Sequence, residues 1–217
     1  MSTRTTRPPK ALPALPPGRR PARLTVEKYE AMIASGLFTK RDRFELIEGI
    51  LVEKMTKKPP HSVSSELTRV ALDRACPVGW HVRIEKPVRI PRRRSMPEPD
   101  VSVARGKITD YGKRDPGPDD VALVVEVSHT TVKAATRFAG TPAMTATYGG
   151  GSIPVYWLVN IPERQLEVYT EPSGPASPAG YRRCQILLPG QDVPLLIEGR
   201  EVARIAVADL LPPVEEG

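Results

Sequence analysis

Residues 121–128 read VALVVEVS, the most apolar and β-branched run of the chain, with one carboxylate, Glu126, inside it. A run of that length and composition predicts a strand covered on both faces, as strands in the middle of α/β sheets are. A carboxylate in such a place costs several kcal/mol (about the penalty of an unpaired buried charge) unless something compensates it. Working outward, EPDVSVA (98–104) predicts a short strand after a Pro-rich turn, opened by Asp100. DYGKRDPGPDD (110–120) between them is loop by composition. Downstream, VYWLVN (155–160) and QLEVYTE (165–171) read as strands, followed by short β segments RRCQILL (182–188), PLLIEG (194–199) and REVARIAV (200–207).

Upstream, LTVEKYEAMIASGLF (24–38) predicts a helix capped by Thr25, with Tyr29, Met32 and Ile33 on one face and Gly36 as its stop. RFELIEGILVEKM (43–55) predicts two strands about a turn at Gly49. HSVSSELTRVALDRAC (61–76) predicts an amphipathic helix whose apolar stripe is Val63, Leu67, Val70 and Ala71. HVRIEKPVRI (81–90) alternates like a strand, and residues 130–148 predict a helical region broken at Pro142. Helices interspersed with strands imply an α/β fold: a mixed central sheet flanked by helices, with a C-terminal β extension.

The composition excludes several classes. No apolar run approaches the roughly 18 residues of a membrane span, and the N-terminus has no apolar h-region of a secretory signal. Cys76 and Cys184 lack metal-ligand spacing and read as two buried thiols in a reducing cytoplasm. The net charge is +7, but residues 1–23 carry Arg4, Arg7, Lys10, Arg19, Arg20 and Arg23 and no acid, which leaves +1 for the rest. That Pro-rich segment reads as a disordered tail that can touch phosphates non-specifically or simply be solvated. GGGS (149–152) lacks the lysine and hydroxyl residue of a P-loop. Tyr156 and Trp157 read as core, and no Ser/His/Asp set assembles with any specificity.

Asp100 and Glu126, at neighbouring strands, suit a hard divalent cation, which takes oxygen ligands and often only one or two carboxylates. The alternative is that Glu126 faces out at a sheet edge or pairs with an arginine. On the residues alone both readings stay open. The segments that carry a resemblance are, in order, RFELIEGILVEKM, PPHSVSSELTRVAL, MPEPDVSVARG, LVVEVSHTT, GGGSIPVYWLVNIPERQLEVYTEPSG and VARIAVADLLP. Across residues 24–212 they resemble the Uma2 family, restriction-endonuclease-like proteins with a PD-(D/E)xK fold. The resemblance implies a domain over 24–212 with tails at 1–23 and 213–217. It implies that Asp100 and Glu126 bind Mg²⁺ (or Mn²⁺), that Glu45 adds a third carboxylate, and that the Val127 carbonyl completes the shell. Glu48, three residues from Glu45, would face the other side and belong to the turn. His61 matches a family histidine, read as a phosphate contact, an aid to water activation, or a polar residue at the helix start.

The resemblance also implies a lysine four residues before a tyrosine, on the helix after the Glu126 strand. Counting back from Tyr148 places Met144 there and Gly140 at the preceding acid position, and there is no lysine from Ala134 to Trp157. Lys133 is the candidate replacement, with Arg137 one helical turn on, although arginine is no equivalent of lysine. Otherwise the site binds metal and cleaves poorly, or VKAATRFAGTPAMTATYGGG (132–151), rich in Ala, Thr, Gly and Pro, is a disrupted segment. Arg89, Arg92, Arg93 and Arg94 precede Asp100 and read as a phosphate-gripping loop or a solvated turn. The expectation is therefore a Mg²⁺-dependent DNA endonuclease of weakened activity, with DNA as partner and a homodimer left open. The rival readings are a non-catalytic nucleic-acid or protein binding module on the same fold, or a purely structural domain.

Overall fold

The computed structural model describes residues 18–39, 42–54, 56–129 and 142–213. Helix α1 (Val26–Ala34) starts as expected, with the Thr25 hydroxyl accepting the Lys28 amide. Its buried face is Val26 and Tyr29, whereas Ile33 is exposed. Strands β1 (Phe44–Ile47) and β2 (Ile50–Glu53) form an antiparallel hairpin. Its two-residue turn is Glu48–Gly49, with φ of 50° and 79°. Two consecutive left-handed residues are what a right-twisted hairpin requires, and glycine meets that demand at no steric cost.

Helix α2 (Pro59–Ala75) follows, with prolines in its first turn, where a missing N–H costs nothing. Strand β3 (Trp80–Ile84) is shorter than its alternation suggested, because Glu85 turns left-handed at φ 48° ahead of Pro87. Strands β4 (Val101–Arg105) and β5 (Val121–Ser128) lead to α3 (Pro142–Gly150), while residues 130–141 of the expected helical region lie outside the described residues. Strands β6 (Val155–Asn160), β7 (Gln165–Pro172) and β8 (Tyr181–Leu187) complete the sheet. A second hairpin, β9 (Asp192–Ile197) and β10 (Arg200–Ala206), is the C-terminal β extension.

The six-stranded sheet has the order β3-β4-β5-β6-β7-β8. All its neighbours are antiparallel except β5 and β6, whose parallel pairing needs a crossover, and α3 lies within it. Alternation along β5 sorts the core. Leu123, Val125 and Val127 pack with Trp157, Leu72 of α2 and the β9–β10 hairpin. Val124 packs on the other face with Tyr156, Met144 and Tyr148 of α3, and Ile47 of β1. Both faces of β5 are thus covered, as its composition predicted. Tyr156 and Trp157 are fully buried core residues.

Helix α2 departs from its sequence pattern. Its buried residues are His61, Ser64, Ser65, Thr68 and Leu72. The expected core stripe, Val63, Leu67, Val70 and Ala71, instead lines an open groove with Ile205 and Leu211, and Val63 is exposed. The two serine hydroxyls are tolerated inside because Ser64 donates to the Leu210 carbonyl at 2.6 Å and Ser65 to that of His61 at 3.0 Å, whereas the buried Thr68 hydroxyl has no hydrogen-bond partner among the described residues. The cysteines are free, but Cys184 is exposed, which corrects the reading of two buried thiols. The triple glycine at 149–151 serves packing: a Cβ on Gly149 would stand 2.1 Å from the Gly180 carbonyl oxygen, and one on Gly151 2.3 Å from Ile90. Among the described residues no helix is long and apolar enough to cross a membrane.

Candidate active site

The site is assembled from β1, the entry to β4, β5, the first turn of α2 and α3. In the β4–β5 register Val101 lies opposite Val125, so one residue further on Asp100 stands opposite Glu126. Cross-strand partners of an antiparallel pair share a face, and here it is the face of Val124, covered by α3 and the β1–β2 hairpin. The hairpin is tied to the approach to β4 by a bridge between Leu46 and Met96, with the Met96 amide donating to the Leu46 carbonyl at 2.7 Å. That brings Glu45 to the Glu98 amide, which donates to Glu45 Oε2 at 3.1 Å. Glu45, Asp100 and Glu126 therefore converge. Glu48 lies in the turn, where it is paired with Arg93 and accepts from Thr147 at 3.0 Å.

Each carboxylate has its own surroundings. Asp100 is buried, and its Oδ2 accepts from the Val127 amide at 2.8 Å and lies 3.1 Å from His61 Nε2. Its Oδ1 accepts from Lys57 Nζ at 2.6 Å. Burial pushes the Asp100 carboxyl up, but His61, through its hydrogen bond and charge, and then Lys57 outweigh burial and hold it below the usual aspartate value. Glu126 accepts from the Tyr148 hydroxyl at 2.7 Å. Burial first, then the charges of Asp100 and Glu45, push its carboxyl well above the usual range against that hydrogen bond. Burial likewise raises Glu45, partly offset by the Glu98 amide and Lys54. Lys54 pairs with Glu98 at 2.8 Å, and Lys57 also pairs with Glu85 at 2.8 Å.

The carboxylates Glu45, Glu85, Glu98, Asp100 and Glu126 thus face the ammonium groups of Lys54 and Lys57 and the imidazole of His61. The excess is negative, which suits a divalent cation. Among the described residues no three His, Cys, Asp or Glu side chains stand as a ready-made metal cluster. A magnesium ion does not need one, since it is commonly held by one or two carboxylates, waters and substrate phosphate. The donor chemistry therefore fits such an ion: hard oxygen ligands, surplus negative charge, and a carboxylate at Glu126 that burial and its neighbours leave electrostatically uncompensated.

The positions expected from sequence fall into three groups. Asp100, Glu126, Glu45 and Val127 come together. His61 joins them from α2, with its ring on Asp100 and its Nδ1 3.3 Å from Ser65 Oγ. Arg92 and Arg94 are exposed, while Arg93 is spent on Glu48, with bonds of 2.9 and 2.8 Å, and Arg89 on Glu30. Lys133 and Arg137 lie outside the described residues. Met144, where the lysine was expected, is buried in the core under α3. Sequence reasoning missed Lys54, Lys57, Glu98 and the donor role of Tyr148. The basic spacing Lys54, Lys57, Lys58 between a hairpin and a helix was the available signal, but nothing in it pointed to an acid 43 residues away.

A mixed sheet with flanking helices and carboxylates gathered beside its parallel junction defines the restriction-endonuclease-like class of fold. The family described as "Uma2: Putative restriction endonuclease" matches residues 26–208, and this chain belongs to it. The fold is also that of a crystal structure described as a "putative nuclease belonging to DUF820" from Anabaena variabilis. The two share 14% sequence identity and superpose with a TM-score of 0.59, over 86% of this chain and 97% of the other. No curated protein matches the chain.

Proposed function

We propose that the chain is a Mg²⁺-dependent (or Mn²⁺-dependent) endonuclease that hydrolyses phosphodiester bonds in DNA, its catalytic domain running over 24–212. The observation that carries this is the meeting of Asp100, Glu126 and Glu45 from three separate segments, two of them pushed up by burial. Membership of a restriction-endonuclease-like family supports the choice of substrate. Asp100, Glu126 and Glu45, with the Val127 carbonyl, would hold the ion. When bound, a divalent metal lowers the pKa of its water and stabilises charge on phosphate oxygens.

The chain's own residues do the positioning. His61 and the Val127 amide fix the orientation of Asp100. The Tyr148 hydroxyl does the same for Glu126. Buried under α3 and the hairpin, Glu126 is screened from bulk water, so charges within the site act at greater strength. Arg92, Arg94 and the basic residues of 1–23 supply sequence-independent attraction for the DNA backbone. Met144 in the core, where the family lysine was expected, favours a second reading: a metal- or nucleic-acid-binding module that does not cleave.

Plasmid cleavage with Mg²⁺ or Mn²⁺, run beside Asp100→Ala and Glu126→Ala, separates the two. Cleavage by the wild type should fall at least about 10²-fold in either variant, the scale of losing a group that acts in the transition state. A wild type that binds metal in calorimetry and leaves DNA intact supports the binding module. A wild type that does neither removes both readings of the carboxylates.

A further inference from the structure

Both oxygens of Asp100 are engaged, and their partners are anchored differently. Oδ2 is held by the amide of Val127, inside β5, and lies beside His61, a buried residue of α2. Neither can leave without moving a strand or a helix. Oδ1 is held by Lys57, which lies between β2 and α2 in no regular element and carries its ammonium on a flexible four-carbon stem. The same ammonium is already 2.8 Å from Glu85 Oε1, a half-exposed carboxylate at the rim. A cation arriving at Asp100 therefore competes for Oδ1, and the group it displaces is Lys57, which keeps a second anion within reach. Lys54 is placed differently, its backbone amide bonded to the Arg43 carbonyl and its ammonium paired with Glu98 rather than with Asp100.

We propose that Lys57 is the mobile catalytic cation of this site, bound to Asp100 Oδ1 in the metal-free protein and released toward the scissile phosphate when a divalent ion takes that oxygen. This rests on the phosphodiesterase reading above. In the loaded site the ammonium donates a hydrogen bond to a non-bridging oxygen of the phosphate, where negative charge builds. In the hydrolysis the water oxygen bonds to phosphorus and the ester P–O bond breaks. The proton lost by water is balanced by one gained on the leaving oxygen. Lys57 stays protonated throughout and gives up nothing. The cation thus comes from the segment ahead of α2 instead of from the helix after the Glu126 strand.

The exchange makes metal affinity and catalysis move in opposite directions, which a merely structural lysine would not do. The test uses the full chain with Lys57→Met and Lys57→Arg, reading Mg²⁺ affinity by calorimetry, single-turnover plasmid cleavage at saturating Mg²⁺, and thermal melting with and without the ion. Lys57→Met should bind Mg²⁺ about tenfold more tightly, within the usual span of coupling between two ligands. Its cleavage should fall about 10²–10³-fold, the size of losing one preorganised donor. Lys57→Arg, which keeps the charge, should recover part of the rate. With Mg²⁺ present, Lys57→Met should melt within a few degrees of the wild type, so misfolding is not the cause. Unchanged or weaker Mg²⁺ binding by Lys57→Met overturns the exchange, and wild-type cleavage by it overturns the catalytic assignment. A wild type that neither binds Mg²⁺ nor cleaves fails at the phosphodiesterase reading itself, a result distinct from a cleaving wild type with an indifferent Lys57→Met.

Discussion

Glu126 sits where burial and two neighbouring carboxylates oppose its charge. Its carboxyl is raised by burial and then by Asp100 and Glu45, so the folded state prefers it protonated. The sign of the consequence follows from linkage. Its contribution to stability is fully present below its ordinary value of 4.5 and is lost as pH rises through the raised folded value. Asp100 works the other way, because its folded value is lowered: its contribution is present above 3.8 and lost as pH falls through the depressed value. Metal-free protein should therefore lose stability as pH climbs from mildly acidic toward alkaline, and Glu126→Gln should flatten that loss. At pH 8 without metal the variant should be more stable than the wild type by on the order of 1–3 kcal/mol, the range for removing a poorly compensated buried charge. Urea melts at pH 5 and pH 8 check it, and a variant less stable at pH 8 would remove the argument. The acid itself was legible as a lone carboxylate in an apolar strand. The other members of the site were not, because Tyr148, on Glu126, and Lys57, on Asp100, come from segments that no local pattern joins to these acids.

Among the elements, the hairpin and the two central strands could be read directly, since period and turn chemistry are local properties. Glu48–Gly49 supplies the left-handed turn, and VALVVEVS and VYWLVN have no polar face to expose. Helix α2 was legible as a helix, but its orientation was not. Its apolar stripe lies along a groove, and its buried face carries Ser64, Ser65 and Thr68. Spacing reports which residues share a face, yet which face the sheet receives depends on acceptors such as the Leu210 carbonyl, 146 residues from Ser64. The two faces predict opposite mutational costs. Leu72→Ala removes a fully buried side chain from the core below the sheet and should cost about 2–5 kcal/mol. Val63→Thr, at an exposed position of the stripe, should change stability by no more than about 0.5 kcal/mol. Equal losses in denaturant melts would mean that the stripe is packed after all.

Across the whole molecule, the charge distribution takes on a meaning that the total of +7 conceals. Six of those charges belong to residues 1–23, and the rest of the chain is close to neutral. Folding nevertheless concentrates cations in one place. Arg20, Arg23 and Arg94 line one surface cavity, and Arg23, Arg92, Arg93 and Arg94 line its neighbour beside Glu48. Arg93 is neutralised by Glu48, and Arg23 donates to the Glu48 carbonyl, which leaves the exposed side chains of Arg20, Arg92 and Arg94 as the ones that would meet phosphate under the proposed function. The link to the carboxylates is short: Glu48 accepts from Thr147, and the next residue, Tyr148, donates to Glu126. A duplex lying on this face would thus have its backbone gripped at the hairpin turn while a phosphate reached the acids. Arg92→Ser with Arg94→Ser should leave the fold intact, since both side chains are exposed. It should weaken binding to DNA of any sequence and lower the slope of log affinity against log salt by about 0.9 for each phosphate contact removed, roughly 1.8 for the pair. Fluorescence anisotropy on a short duplex at several salt concentrations, with Ca²⁺ in place of Mg²⁺ to prevent cleavage, reads that slope. An unchanged slope would place the DNA on another face and leave these arginines as solvated surface, whereas a loss confined to one sequence would make them base readers instead of backbone clamps.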